Sequence, residues 1–367
     1  MVQRRSHTKS RKGCFECKRR HIKCNEARPV CSNCQRLESN CTWPIRKNAA
    51  VASWIDDSVS SGSQHGTSAE PETPGLAVND LRLLHHYTMN TRAVMDRSPT
   101  HDTWRSTVVE YGFRHHFLLR GILAVSALHL STLHRDESRE LFLQSTTHIG
   151  CALREFRILL SNPDPSITGP MFALAAILVL HGLGTAQVQT PEDPIGALVH
   201  CISLVRGVRA VVNRDYARLL MSEFGPLINV AQRHGVAGEI VEVRRLKELI
   251  RDREKNESMR NQYFEAVDEL HEIFLELQAL DDERSAVAYI FSWAALSPER
   301  FMISLSKREP VALVILAYYA VLFQTSKKCW WLQGWYQRIL DAVHAAVGPG
   351  YEDWLAWPRQ QAVYFRA

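Results

Sequence analysis

Residues 14 to 24, CFECKRRHIKC, place three cysteines among four Lys/Arg residues and one histidine. Cysteines at this density form either a disulfide framework or a metal site. The positive charge around them indicates an anionic partner. The rest of the chain decides between the two kinds of cysteine site.

The positive charge of the chain is concentrated at its amino-terminal end. The 367 residues carry a formal net charge of +5, but residues 1–48 hold 13 Lys/Arg against 3 Asp/Glu. The remaining residues hold 31 Lys/Arg against 36 Asp/Glu and are mildly acidic. A basic head on an acidic body indicates that only the head binds a polyanion.

The opening residues, MVQRRSHTKSRKG, contain no apolar run of the kind that a secretory signal requires. We therefore expect the chain to stay in a reducing compartment, where disulfides are disfavoured. The apolar runs at 171–180 and 311–323 are shorter than the roughly 20 residues that span a bilayer, so they predict buried helices and no membrane span. The widely spaced Cys151, Cys201 and Cys329 are predicted to be reduced thiols in or near a core.

Three zones of different composition follow one another along the chain. Residues 1–48 are basic and rich in cysteine. Residues 49–75 are rich in Ser, Gly, Pro and Thr, cannot bury much apolar surface, and are predicted to be a flexible linker. From residue 76 to residue 367, apolar residues recur at helical spacing, which predicts a large all-α domain.

Within the body, the segment 115–133 is apolar on nearly every side and is predicted to be a central helix. The segment 238–280 is charged and amphipathic, which predicts outer helices. Clusters of Gly and Pro predict breaks between helices at 161–170, 182–196 and 347–350.

The cysteines of the head form a repeated half-motif. Their spacing is C-x2-C-x6-C-x6-C-x2-C-x6-C, which repeats with an offset of 17 residues over Cys14, Cys17, Cys24, Cys31, Cys34 and Cys41. A structural zinc ion takes four thiolate or imidazole ligands, so two separate sites would need eight. Six cysteines suffice for two zinc ions per chain if two sulfurs bridge both ions. The symmetry of the repeat indicates the first cysteine of each half, Cys14 and Cys31, as the bridges.

Other cysteine sites fit the repeat less well. A single four-cysteine site would leave two thiols unused, and a site that borrowed His7 or His21 would break the repeat. A disulfide knot and an iron–sulfur site are the remaining alternatives. A head of this size cannot fold on apolar burial, so metal binding supplies its folding free energy. The predicted fold is a small metal-organised zinc cluster module, joined by a disordered linker to a large all-α domain.

The zinc geometry limits the helix that follows the second cysteine. If residues 17–24 formed one continuous helix, Cys17 and Cys24 would lie about 10 Å apart along its axis. Two sulfurs on one zinc ion lie within about 4 Å of each other. The helix must therefore end near residues 20–22, which presents Arg20 and His21 at an exposed helix end.

Double-stranded DNA is the polyanion that a short helix end can read, because side chains enter the major groove while other cations contact phosphates. We expect Arg20 and His21 to contact base edges. Phosphate contacts are predicted for Lys18, Arg19, Lys23 and the arm residues Arg4, Arg5, Lys9, Arg11 and Lys12. The second half-motif, CSNCQRLESNC, has one arginine and one glutamate and is predicted to be a structural brace. The alternative is a zinc module that contacts protein.

Residues 9–44, with the pattern CFECKRRHIKCNEARPVCSNC, resemble the fungal six-cysteine zinc binuclear cluster transcription factors. The resemblance implies two zinc ions bridged by Cys14 and Cys31, a first helix that contacts a CG-containing half-site, and a nuclear location. In many members a lysine four residues after the second cysteine reads CGG. His21 occupies that place here, preceded by Arg20, so a plain CGG site is not carried over.

A narrower resemblance extends into the body. The arm RRSHTKSRKGC, the core CKRRHIKC, the segment FRHHFLLRGILAVSALHL and the closing WWLQGWYQRIL and WLAWP are similar to the sterol-uptake control regulators. That likeness implies a helical domain that senses a sterol and represses or releases the head. Related sequences also regulate secondary-metabolite gene clusters, so a regulator of such a cluster with no sterol ligand is the alternative.

Five of the nine tryptophans fall within the last 38 residues. A sterol or another flat apolar ligand would suit a pocket lined by Trp330, Trp331, Gly334 and Trp335. The same residues also fit a tryptophan-rich core or a homodimer face. The body contains no recognised catalytic motif, so we predict that the protein is not an enzyme. A helical enzyme or lipid-binding protein that carries a zinc module for protein contact is the alternative.

Overall fold

The fold is taken from a computed structural model of the chain. The structure describes residues 14–20, 22–27, 30–37, 41, 78–91, 103–161, 164–225, 235–279, 283–326 and 328–364. The chain divides into two compact units, Met1–Glu72 and Thr73–Ala367. The predicted linker 49–75 lies outside the described residues, and its boundaries stay predictions.

The head contains two short helices of the same build. Helix α1 is Phe15–Arg19 and α2 is Ser32–Arg36. The sulfur of the residue before each helix, Cys14 or Cys31, accepts a hydrogen bond from the backbone N–H three residues later. The repeat of the sequence is therefore a repeat of the structure, and α1 ends where the zinc geometry predicts.

The described residues of the body are mostly helical and contain no strand. Its helices are α3 Val78–Met89, α4 Val108–Arg114, α5 His116–Leu133, α6 Ser138–Ser161, α7 Thr168–Thr185, α8 Pro194–Arg214, α9 Tyr216–Leu220, α10 Val241–Arg253, α11 Glu257–Gln278, α12 Glu283–Leu296, α13 Glu299–Ser306, α14 Pro310–Val321, α15 Trp335–Val347 and α16 Glu352–Tyr364. Short turns of other helix types join them at Thr103–Thr107, Pro165–Ile167, Leu322–Thr325, Trp330–Leu332 and Pro349–Tyr351. The predicted all-α class is confirmed.

Helix α5 lies at the centre of the first part of the body, as its sequence predicts. It packs against α3, α4, α6 and α7, and most of its residues are buried. Gly121 allows α7 to approach closely, because a Cβ there would overlap the side chain of Leu174. The two apolar runs lie in α7 and around α14, and both helices are buried.

By length and composition alone, three of the described helices could cross a membrane: His116–Leu133, Pro165–Thr185 and Pro194–Arg214. In the first two, 72% of the apolar window is buried inside the protein, whereas in the third the share is 28%. Burial against other helices accounts for the apolar character of α5 and α7. The absence of a membrane span stays a prediction.

The amphipathic segment 238–280 forms α10 and α11. One face of α10 is buried, and its outer face carries Arg244 and Lys247, which pair with Asp268 of α11 at 2.8 and 2.6 Å. Helix α11 is more buried than an outer helix, because it packs against α10, α12 and α13. The break predicted at 182–196 begins later, since α7 continues to Thr185.

Candidate metal centre and nucleic-acid interface

The six head cysteines converge on two sets of four sulfurs. The first set is Cys14, Cys17, Cys24 and Cys31, and the second is Cys14, Cys31, Cys34 and Cys41. Within each set all sulfurs lie within 4.8 Å of one another. The two sets share Cys14 and Cys31, the first cysteines of the two halves.

The sulfur distances fit tetrahedral zinc. A zinc ion with Zn–S bonds of about 2.3 Å separates its ligand sulfurs by about 3.8 Å. The sulfur of Cys14 lies 3.7 Å from the sulfurs of Cys31 and Cys34, and 3.9 Å from that of Cys24. The Cys17 and Cys31 sulfurs are 3.5 Å apart. The residues present therefore fit two zinc ions.

Backbone N–H groups hold four of these sulfurs in place. They donate from Cys17 to Cys14, from Cys34 to Cys31, from Glu26 to Cys24 and from Cys31 to Cys41, over 3.3 to 3.4 Å. Such donors outside the ligand shell orient the ligands and stabilise negative charge on sulfur. The local fold is thus organised around the sulfurs.

The pKa values of the head thiols couple zinc binding to proton release. Burial raises the pKa of Cys17 to about 12 and also raises that of Cys34. The backbone N–H of Cys34 lowers the pKa of Cys31 to about 6. Without cations, crowded buried sulfurs favour the neutral thiol, so metal binding must displace protons and depends on pH.

No two of the nine cysteines are joined by a disulfide in the structure. The sulfur distances of 3.5 Å and more in the head exceed a disulfide bond of about 2.05 Å. In the body, Cys201 and Cys329 are buried and Cys151 is partly exposed, so they lie in or near the core as predicted, and their reduced state stays a prediction.

The basic side chains next to the cluster face solvent. Lys18, Arg19, Arg20 and Lys23 are exposed, and the Arg19 side chain is 71% accessible. The backbone N–H of Ile22 donates to the Cys17 carbonyl at 3.1 Å and closes the helix end. The other predicted DNA contacts, Arg11, Lys12 and His21, lie outside the described residues, as do Arg4, Arg5 and Lys9.

A carboxylate that the sequence analysis did not single out lies between two of these arginines. Glu16 accepts from Nε and Nη2 of Arg19 at 3.0 and 2.7 Å, and lies 2.6 Å from Nε of Arg20. The hydrogen bond from Arg19 holds the pKa of Glu16 below its ordinary value. The sequence did contain a signal for this contact, because residues three and four positions apart on a helix lie on the same face, and Glu16 precedes Arg19 and Arg20 by these distances.

The second half-motif carries different side chains at the equivalent positions. An offset of 17 residues places Gln35, Arg36 and Leu37 opposite Lys18, Arg19 and Arg20, and places Asn33 opposite Glu16. Asn33 donates from Nδ2 to the Lys23 carbonyl at 2.8 Å and so ties the two halves together. This contact suits the structural brace that the sequence predicts.

The four residues predicted to line a ligand pocket lie in or beside the main hydrophobic core. Trp330, Trp331 and Trp335 are 8%, 1% and 0% exposed. The Trp330 ring stacks on His129 at 4.9 Å, and Trp335 Nε1 donates to the Leu183 carbonyl at 3.0 Å. Gly334 adopts a φ of 73° where α15 begins. These tryptophans are packed as core residues, and their role in binding a ligand stays a prediction.

Comparison with known proteins places the head in a defined family of domains. Residues 12–50 match the profile "Fungal Zn(2)-Cys(6) binuclear cluster domain". Domains of this kind bind two zinc ions, and the two four-cysteine sets provide the ligands for both. The zinc prediction is thereby confirmed.

Relatives that match beyond the head carry related names. The chain is 24% identical to a Zn(2)-C6 fungal-type transcription factor of Gibberella zeae, over 99% of this chain and 87% of the relative. It is 30% identical to the Zn(2)-C6 fungal-type transcription factor afumD of Aspergillus fumigatus, over 50% of this chain and 49% of the relative. It is 28% identical to sterol uptake control protein 2 of Candida albicans, over 76% of this chain. The matches to the last two span about half or less, 49% and 42%, of those relatives.

Proposed function

Since the chain carries a fungal Zn(2)-Cys(6) binuclear cluster domain, we propose that it is a nuclear, sequence-specific DNA-binding transcription regulator. In this proposal two zinc ions, bridged by Cys14 and Cys31, hold the end of α1 ready for the major groove. Modules of this type place a short helix in the groove, and dimer spacing sets the separation of their half-sites. The helical body has a regulatory role.

One observation carries the proposal: the first half-motif joins a zinc ligand set to an exposed basic helix end, and the second half-motif does not. Arg20 follows α1 directly, and Lys18, Arg19 and Lys23 surround it. At the corresponding end of α2, Leu37 takes the place of Arg20. A solvated basic surface would not require this asymmetry, whereas a module that presents one helix end to a duplex does.

The test uses the full-length chain with zinc bound. Bound duplexes are selected from a random DNA pool, and the dissociation constant for the selected site is compared with that for a scrambled duplex at several salt concentrations. We expect a preference of at least about a thousandfold, which is typical of specific binding. Removal of zinc by a chelator should abolish the preference, and added zinc should restore it.

A zinc-loaded chain that binds all duplexes equally, or none, would contradict the proposal. It would favour the alternative, a helical lipid-binding or enzymatic protein whose zinc module contacts protein. The symmetry of the selected site also reports stoichiometry. An inverted or direct repeat would support the homodimer through the helical domain, and a single half-site would oppose it.

We propose further that the body responds to a sterol or a related apolar ligand with a polar group. Among the residues that the structure describes, Ser326 Oγ, Trp330 Nε1 and Trp331 Nε1 are buried without a hydrogen-bond partner. A buried polar atom without a partner costs about 1–3 kcal/mol, and here three such donors fall within six residues. The hydroxyl of a ligand would supply an acceptor. The name of the Candida albicans relative supports a sterol as the first ligand to test.

Hydrogen exchange tests this part of the proposal. Ergosterol delivered in cyclodextrin should slow amide exchange within residues 320–360, and empty cyclodextrin is the control. Absence of protection would leave a tryptophan-rich core, and would favour the alternative of a regulator of a secondary-metabolite gene cluster that binds no sterol.

A further inference from the structure

The carboxylate of Glu16 holds the two arginines that end the first helix of the head. It contacts Arg19 through two nitrogens, Nε and Nη2, and Arg20 through Nε, over distances of 2.6 to 3.0 Å. A bidentate arginine–carboxylate pair has a defined geometry, unlike a single point contact. One side chain therefore fixes two guanidinium groups at the same helix end.

The position of Glu16 in α1 makes this arrangement possible. Glu16 lies in the first turn of α1, and residues three and four positions later share its face. The backbone N–H of Arg20 also donates to the Glu16 carbonyl at 3.1 Å, so the turn that carries both partners is closed. The Glu16 side chain is only 17% accessible, whereas that of Arg19 is 71% accessible.

The equivalent position of the second half-motif holds an amide instead of an acid. Asn33 stands 17 residues after Glu16 and contacts the Lys23 carbonyl instead. An ion pair with an arginine as exposed as Arg19 contributes little to stability, and metal binding dominates the folding of such a head. A carboxylate beside a DNA-binding surface also repels phosphates. Its presence therefore needs a reason other than folding or overall affinity.

We propose that Glu16 is a specificity-determining positioning residue, which orients Arg20 for base contact, holds Arg19 beside it, and limits the attraction of both arginines to phosphates of any sequence. This inference rests on the proposed function. A guanidinium that is held before binding loses less freedom when it meets a base, and preorganisation of this kind favours the matching site. A guanidinium released from Glu16 would reach phosphates more readily, and phosphate contacts carry no sequence information.

The test compares Glu16→Ala and Glu16→Gln with Glu26→Gln in the full-length zinc-loaded chain. Glu26→Gln removes the same charge from an exposed position of the head, where the structure describes a backbone contact to Cys24 and no arginine pair. For each variant, affinity is measured for the selected site and for a scrambled duplex at several salt concentrations. Zinc per chain is measured by native mass spectrometry.

We expect both Glu16 variants to keep two zinc ions and to bind the scrambled duplex about threefold to tenfold more tightly. Their preference for the selected site should fall about tenfold, and their binding should depend more steeply on salt. The Glu26→Gln variant should keep the wild-type preference within about twofold. A folding defect would weaken binding to both duplexes, so tighter non-specific binding distinguishes positioning from structural support.

The inference is overturned if the Glu16 variants keep the wild-type preference while Arg20→Ala loses it, and the proposed function then stands. A double variant, Glu16→Ala with Arg20→Ala, gives a second check. If Glu16 acts through Arg20, its removal should change the preference much less once Arg20 is absent. An unchanged effect of Glu16→Ala in that background would also overturn the inference.

Discussion

The sulfur atoms of Cys14 and Cys31 lie 3.7 Å apart, although 17 positions separate the two residues in the chain. Each belongs to both four-sulfur sets, whereas Cys41 belongs to one. Replacement of a shared ligand should therefore affect both metal sites. We expect Cys31→Ser to lower zinc from two ions per chain to fewer than one, as counted by native mass spectrometry.

The matched control for that experiment is Cys41→Ser, which removes a ligand from the second set only. It should retain about one zinc ion, because the set formed with Cys17 and Cys24 stays complete. Equal zinc loss in the two variants would contradict the shared role of Cys31.

The basic residues around α1 should divide into base contacts and phosphate contacts. We expect Arg20→Ala to reduce the preference for the selected site about tenfold to a hundredfold, because a specific base contact is lost. Lys23→Ala should weaken binding to all duplexes alike and reduce the salt slope by about 1. Affinity measurements on selected and scrambled duplexes at four salt concentrations separate the two effects.

Arg36→Ala is the control for the arginine variants, because Arg36 stands at the place in α2 that Arg19 has in α1. It should leave affinity and preference within about twofold of the wild type. A change of sequence preference in Lys23→Ala at unchanged salt slope would show that the division of roles is wrong.

The cysteine sets could be predicted from the sequence because their pattern is local and periodic. Four ligands per ion and six cysteines in a twofold repeat restrict the solutions to a few. The long buried helices were predictable for a similar reason, since α5 and α14 are apolar on nearly every side. The end of α1 was predictable because two sulfurs bound to one zinc ion must lie within about 4 Å of each other.

Contacts between residues far apart in the chain were not predictable, because such contacts produce no periodic pattern of residues in the sequence. Asp80, Arg120 and His148 come from three helices and meet only when α3, α5 and α6 pack. The spacing of Glu16, Arg19 and Arg20 allows their side chains to meet, but whether they do depends on side-chain rotamers that the sequence does not fix. The burial of α11 depends on the helices that surround it.

The buried charges that join α3 to α5 and α6 should be important for stability. Asp80 is 8% exposed, and its carboxylate lies 3.2 Å from Nε2 of His148 and 3.8 Å from Nη1 of Arg120. Asp80→Asn would weaken the contacts to His148 and Arg120 and remove the negative charge of the cluster, and we expect it to lower the free energy of unfolding by about 2 to 3 kcal/mol. Urea denaturation measures this change.

An exposed ion pair between α3 and the residue before α6 provides the comparison. Arg82 pairs with Glu137 at 2.7 Å, and both side chains are about half accessible. Glu137→Gln should change the free energy of unfolding by less than about 1 kcal/mol, because exposed pairs contribute little. Similar effects of Asp80→Asn and Glu137→Gln would contradict the structural role of the buried cluster.

Two histidines in contact should make the body less stable in acid. Nε2 of His86 lies 3.2 Å from Nδ1 of His129, and burial lowers the pKa of each from 6.5 to about 4. Electrostatic repulsion from the nearby His134, Arg82 and His85 lowers the pKa of His86 further. Between pH 6.5 and 4 the unfolded chain therefore binds protons that the folded chain does not.

The stability that these histidines contribute is fully present above pH 6.5 and is lost as the pH falls towards 4. Each such proton adds a slope of about 1.4 kcal/mol per pH unit to the free energy of unfolding. His86→Gln should make the decline between pH 6.5 and 4 shallower, as followed by urea denaturation at several pH values. A variant that declines as steeply as the wild type would show that His86 does not carry the effect.

The unpaired indoles of the body allow a last prediction. Trp331 Nε1 is buried without a hydrogen-bond partner among the described residues, whereas Trp335 Nε1 donates to the Leu183 carbonyl. Both Trp331→Phe and Trp335→Phe remove buried ring volume, but only the second breaks a hydrogen bond. We expect Trp335→Phe to lower the free energy of unfolding by about 1 kcal/mol more than Trp331→Phe does.

A bound sterol should stabilise Trp335→Phe more than it stabilises Trp331→Phe. If a sterol hydroxyl accepts from Trp331 Nε1, ergosterol should raise the melting temperature of the wild type and of Trp335→Phe, because a ligand that binds the folded state stabilises it. The same sterol should have a much smaller effect on Trp331→Phe, which lacks the donor. Equal stabilisation of both variants would show that the sterol binds without Trp331, and no stabilisation of any form would contradict sterol binding by the body.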